Sequence, residues 1–228
     1  MNADKEKNSH VLNVFIFLCV IFLVFLAFTG EKSISEVRME MAEVQEEQEE
    51  KALEAASREA KGFADHELEE VPVYFQWDNE WASKGYANGN MEDSGCGPTC
   101  MSMVAVYFTG DEDMTPAWMA DFSTENGYIM GGKTAWTLML DGAEKIGLQV
   151  KEMAPDEEEM KKELDLERVM ICSMGPGDFT KGGHFIVIIG YGEDGFTVRD
   201  PNNEENNEKS WSYDRISGQI KNIWSYWM

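Results

Sequence analysis

The hydrophobic pattern divides the chain into three. From Val11 to Phe28 it reads VLNVFIFLCVIFLVFLAF, eighteen residues with one polar member, Asn13, and no charge. That length is just enough for a helix to cross a bilayer. A cleaved signal peptide is the alternative, but its apolar part is shorter and ends in a small-x-small site. Ala27-Phe28-Thr29-Gly30 is a poor version of that site. The pattern predicts a short tail at residues 1–10 and a retained transmembrane signal-anchor helix at residues 11–29. Residues 30–70 are Glu-rich and lack Pro. Within them Ile34, Val37, Met41 and Val44 make a short seam with coiled-coil spacing, which fails at Gln48 and Lys51. This segment reads as an acidic helical stalk or linker.

Residues 71–228 carry the mixed pattern of a folded domain. Residues 71–76 suggest a short strand or extended segment. Met101, Val104, Ala105 and Phe108 repeat at helical spacing, so a helix is expected from about Gly97 to Phe108. Thr115-Pro116 is a cap followed by Pro at the first helical position, which opens a second helix through Phe122. Apolar positions from Ala135 to Ile146 predict a third, closed by Gly147. Strands are expected at residues 148–150, 169–173, 185–191, 196–200 and 222–227. Charged residues 156–164 read as a surface helix, and residues 213–220 as a last helix. Gly192-Glu193-Asp194-Gly195 signals a hairpin. Helices first and antiparallel strands later predict an α+β domain.

Charge narrows the partners. The chain has 19 Lys and Arg against 43 Asp and Glu, a formal net charge of −24. Such a surface repels phosphate backbones, which argues against nucleic acid. No Gly-x-x-x-x-Gly-Lys-[Ser/Thr] loop is present, so no nucleotide is expected. Of the four cysteines, Cys19 lies in the apolar run. Cys96, Cys100 and Cys172 give neither a disulfide framework nor a zinc pattern, and with three His in all no metal or cofactor is expected.

The candidate chemistry lies in two short motifs. Cys96 sits in Gly95-Cys96-Gly97-Pro98 at the start of the first domain helix, where the helix dipole and free N–H groups favour thiolate. His184 begins the apolar run His184-Phe185-Ile186-Val187 and is the only His of residues 71–228. A nucleophile and its base need this pair of groups. A symmetric hairpin about residues 193–194 would set residue 203 opposite His184, so a bulge or longer loop would bring Asp200 beside the ring. There its carboxylate would orient the imidazole. Taken singly, each residue has a plainer reading: a buried Cys, a satisfied strand-end His, and a turn Asp before Pro201. Cys100, one helical turn after Cys96, reads as packing.

With these motifs residues 71–228 resemble the papain-like cysteine peptidases of the double-glycine-leader, bacteriocin-processing type, and more closely their stand-alone relatives. The resemblance rests on Val71-Pro72 with Gln76, Trp77, Asp78 and Trp81, and on Gly95-Cys96-Gly97-Pro98-Thr99. It also rests on Gly127-Tyr128, Gly131-Gly132, Gly183-His184-Phe185, Ile188-Ile189-Gly190-Tyr191 and Val198-Arg199-Asp200-Pro201. It implies a papain-like α+β fold, with Cys96 as nucleophile, His184 as base and Asp200 as orienting residue. It further implies Gln76 as side-chain donor to the oxyanion, beside the backbone N–H of Cys96. Without a transporter domain, the double-glycine leader is not carried over as substrate.

The expected protein is thus a membrane-anchored cysteine peptidase or related acyl-transfer enzyme acting on a peptide or protein. Lys5 and Lys7 precede the apolar run and Lys32 and Arg38 follow it, so charge does not orient it. A single N-terminal anchor with a large following domain implies that the domain is extracytoplasmic. The alternative function is a catalytically inactive papain-like binding module.

Overall fold

The computed structural model describes residues 66–68 and 70–228. The expected membrane helix and nearly all of the expected stalk, including its apolar seam, lie outside these residues. Among the described residues no helix is long and apolar enough to cross a membrane. Phe63–Met228 forms one compact unit.

Seven strands form one antiparallel sheet: β1 (His66–Glu67), β2 (Gln149–Met153), β3 (Val169–Met174), β4 (His184–Gly192), β5 (Gly195–Arg199), β6 (Ser210–Trp211) and β7 (Ile220–Trp227). Their order is β6-β5-β4-β3-β7-β2, with β1 also paired to β4. The sheet therefore begins a few residues inside the segment expected as stalk. Leu68 is the reason: it is buried, and its N–H donates to Ile189 O at 2.8 Å. Every residue of β3 is buried, as are residues 184–191 of β4. Such strands are covered on both faces, which accounts for unbroken apolar runs in place of alternation.

Four helices flank the sheet: α1 (Cys96–Thr109), α2 (Pro116–Glu125), α3 (Asp141–Lys145) and α4 (Glu157–Asp165). The Thr115 hydroxyl caps α2 by accepting from Trp118 N at 3.2 Å. Gly110 closes α1 in the left-handed region, φ 68°, where a side chain would be strained. Asp156 caps α4 by accepting from Glu159 N. One buried carboxylate ties α4 to the sheet. Glu163 accepts from Lys151 at 2.6 Å, Arg168 at 3.2 Å and Ser225 Oγ at 2.7 Å. Burial disfavours its charge, but these three donors outweigh that and lower its pKa.

Two expected helices differ. Residues 135–146 do not form one helix but a 3-10 turn, Trp136–Leu138, and then α3. The Tyr226 hydroxyl donates to Met139 O at 3.0 Å, so a carbonyl the helix ladder would use is engaged by the core. Residues 213–220 break likewise. Tyr213–Ile216 is one α turn, Ser217–Gln219 is 3-10, and Ile220 already opens β7. The segment at 71–76 joins no ladder, and it ends in a turn at Gln76.

Candidate active site

Cys96 opens α1 directly after the one-turn helix Met91–Ser94, with only Gly95 between them. Both flanking glycines are dictated by space. A Cβ on Gly95 would lie 2.4 Å from Met91 O, and one on Gly97 2.6 Å from Thr134 Cγ2. No side chain can occupy either position without moving a neighbour. Thr134 belongs to a small ribbon, Ile129–Met130 with Lys133–Thr134. Its hydroxyl is 2.9 Å from Tyr86 OH, which is 3.0 Å from Ser123 Oγ on α2. The bed under Cys96 is thus fixed from three sides. Cys96 itself is partly exposed.

His184 is the first residue of β4 and is 7% exposed. Asp200 follows β5 and is 1% exposed. The two-residue turn Glu193-Asp194 sets Gly192 opposite Gly195, and a bulge between Ile188 and Gly190 then shifts the register by one residue. That shift brings Asp200 toward the His184 end of the hairpin, as the sequence required. His184 Nε2 lies 2.7 Å from Asp200 Oδ1, and the ring is near enough to Cys96 for that thiol to raise the ring's pKa. With Nε2 taken by Asp200, Nδ1 is the nitrogen left for sulfur. Cys96, His184 and Asp200 therefore meet, from α1, β4 and the end of β5.

The electrostatics follow from these contacts. Burial of His184 disfavours its charged form, but Asp200 and Cys96 favour it more and push its pKa up to about 10. Burial works against the Asp200 carboxylate too. The His184 bond, its positive charge, the Asn206 side chain and the Asn202 N–H outweigh it, and the pKa falls. Cys100 and Cys172 are fully buried, and burial is the main cause that pushes both thiols well up. They stay protonated at neutral pH.

Gln76 is buried, not solvent-facing, and lies between the same elements. Its N–H donates to Pro201 O at 2.8 Å, and its Nε2 to Glu92 O at 2.6 Å. Nε2 carries two hydrogens, so one remains for a further acceptor. Trp77 Nε1 donates to Asn202 O at 3.1 Å, a second tie between this segment and the loop after Asp200. The long stretch from Gln76 to Cys96 is folded back, through Trp81 Nε1 to Phe75 O at 2.7 Å and Glu92 N to Ala82 O at 3.0 Å.

Trp136 is 47% exposed and meets the buried Trp224 edge-on at 5.4 Å. Phe185, next to His184, lies 6.3 Å from the same Trp224 ring. Reading the sequence alone missed the asparagines that hold Asp200. The signal was the run Asn202-Asn203-Glu204-Glu205-Asn206-Asn207 behind Asp200-Pro201, since Asn side chains bond nearby loop groups. Among the described residues no three His, Cys, Asp or Glu side chains converge as metal ligands would.

None of the curated proteins compared matches the chain. Among solved structures, a candidate C39-like peptidase from Bacillus anthracis is 16% identical, with a TM-score of 0.44 over 72% of this chain and 98% of that one. The peptidase domain of Streptococcus ComA, a bi-functional ABC transporter involved in quorum sensing, is 17% identical, with a TM-score of 0.45 over 59% of this chain and 90% of that one. Likeness at that level carries no argument about function. The sequence pattern of a family covers far more specific ground: the Peptidase_C39 like family matches residues 68–227, almost the whole compact unit. The chain therefore belongs to the Peptidase_C39 like family, with an α+β fold of that type.

Proposed function

We propose that the chain is a cysteine peptidase, or a closely related acyl-transfer enzyme, working through Cys96, His184 and Asp200 with Gln76 as oxyanion donor. The observation that carries this reading is the buried His184–Asp200 bond of 2.7 Å on a ring whose charge is favoured by the neighbouring Cys96. His184 takes the Cys96 proton, and Asp200 holds the imidazolium so formed in place. The Cys96 thiolate attacks the carbonyl carbon of a peptide bond, forming the S–C bond and moving the π electrons onto oxygen. The free N–H groups at the start of α1 and the second N–H of Gln76 Nε2 would face that oxyanion. On collapse the C–N bond breaks, and His184 Nδ1–H gives its proton to the leaving nitrogen. Water then attacks the acyl-enzyme as His184 takes one of its protons, releasing the acid and restoring the thiol–imidazole pair.

The substrate is proposed to be a peptide or protein. Residues 11–29 would anchor the enzyme in the membrane, and residues 30–70 would hold the domain off an extracytoplasmic surface. The length and apolarity of residues 11–28 support this placement. The test is digestion of a mixed peptide library by the full chain, with new termini read by mass spectrometry. Cleavage lost in Cys96→Ala and His184→Ala supports the proposal. Cleavage unchanged in either would rule it out.

A further inference from the structure

Asp200 can orient His184 only if its own second oxygen is held. That oxygen, Oδ2, accepts from Asn206 Nδ2 at 2.7 Å, and both side chains are buried, with Asn206 4% exposed. Oδ1 accepts from His184 and from the backbone N–H of Asn202 at 2.8 Å and Asn203 at 3.3 Å. Asn206 is in turn fixed through its backbone. Its N–H donates to Asn203 O at 3.1 Å, and its carbonyl accepts from Trp211 Nε1 at 3.0 Å. The Trp211 ring packs on Phe179 at 4.4 Å, in the loop that leads into His184. The support of Asp200 and the approach to His184 therefore share one indole.

We propose that Asn206 is a positioning residue, which fixes the rotation of the Asp200 carboxylate so that Oδ1 faces His184. The inference rests on the reading of Cys96, His184 and Asp200 as one reactive unit. Asn206 reaches the reaction only through Asp200. Without its donor, Oδ2 is buried and unpaired, and the carboxylate turns to find another partner. The titratable groups around Asp200 are His184 on β4, Cys96 beyond that ring, and the buried Cys100 on α1.

The test reads Cys96 directly and needs no substrate. The full chain is treated with iodoacetate from pH 4 to 10, and alkylation at each cysteine is followed by peptide mapping. The negative reagent reports imidazolium as well as thiolate. In Asn206→Leu the rate at Cys96 should fall about tenfold relative to the unaltered chain, the worth of one hydrogen bond to a charged group. Asn206→Asp gives the sharper result. At acid pH its carboxyl and Asp200 share one proton, the donor to Oδ2 is restored, and the rate should approach that of the unaltered chain. As pH rises and the shared proton leaves, two like charges face each other and the rate should drop. Because one variant is compared with itself, a folding defect cannot imitate this rescue. An Asn206→Asp chain that tracks the unaltered one at every pH overturns the proposal, as does one equally slow at every pH. An Asn206→Leu chain at full rate does the same. If Cys96 of the unaltered chain reacts no faster than Cys100 or Cys172, the reading of the site itself fails.

Discussion

At the scale of the residue, environment separates three chemically identical thiols. Cys96 is partly exposed and in contact with His184, while Cys100 and Cys172 are buried and held protonated by that burial. Iodoacetamide near neutral pH is expected to label Cys96 first, and peptide mapping that finds Cys100 or Cys172 ahead would remove the nucleophile. The raised His184 sets the pH behaviour. A group whose folded pKa lies above its unfolded value contributes stability below the unfolded value and loses it as pH rises through the folded one. For His184 that window runs from 6.5 to about 10. The leaving nitrogen needs the imidazolium proton, so turnover should fall on the alkaline side toward pH 10. In Asp200→Asn the ring loses its negative partner, and the alkaline limb should move toward lower pH. A pH–rate profile of both chains checks this, and coincident alkaline limbs would contradict the role of Asp200. The meeting of His184 and Asp200 was legible only in outline: a symmetric hairpin sets residue 203 opposite His184, and Asp200 comes near only with a change of register, of which the bulge supplies one residue. The direction of Asp200's second oxygen was not legible, because no spacing rule reports where a loop side chain such as Asn206 turns.

At the scale of the element, a few contacts set the site's geometry. Gly97 touches Thr134, so Gly97→Ala should push the 129–134 ribbon away from α1. Slower alkylation of Cys96, with a thermal midpoint lowered by several degrees, would be the sign of overpacking at this seam. Normal values of both would show that the ribbon yields freely. A second contact is structural only. Glu163 joins α4 to Lys151, Arg168 and Ser225. Glu163→Ala should cost about 2 kcal/mol in urea unfolding, because it strands the buried Ser225 hydroxyl while Lys151 and Arg168 are exposed enough to be solvated. Its folded pKa is depressed, so its contribution is present above the ordinary carboxylate value and is lost as pH falls through the folded one. The cost of the substitution should therefore shrink in acid. Helices α1, α2 and α4 could be read from period and caps because their own residues decide them. The 135–146 helix could not be read correctly, because the group that breaks it, Tyr226, is distant in sequence. The two-residue ribbons were illegible for the plainer reason that two residues hold no period.

At the scale of the molecule, the helical half supplies the thiol and the strands supply the ring and the carboxylate. The seam between them, closed by Gln76 and Trp77 onto the loop after Asp200, is where these three groups meet. The unit Phe63–Met228 contains all of these contacts. A chain lacking residues 1–30 is expected to be released in soluble form and to melt within about a degree of the full chain. A large loss of melting temperature would mean that the domain leans on its N-terminal segment. Protease shaving of intact cells tests the proposed side of the membrane, and sparing of residues 71–228 would place the domain inside. The most direct test of the account is acyl-enzyme formation. The purified full chain is mixed with a peptide thioester, quenched in acid, and mapped by mass spectrometry. The account predicts one acyl group on Cys96, absent from His184→Ala although that variant melts normally. Acyl transfer to Cys100 or Cys172, or an undiminished acyl-enzyme in His184→Ala, would contradict it.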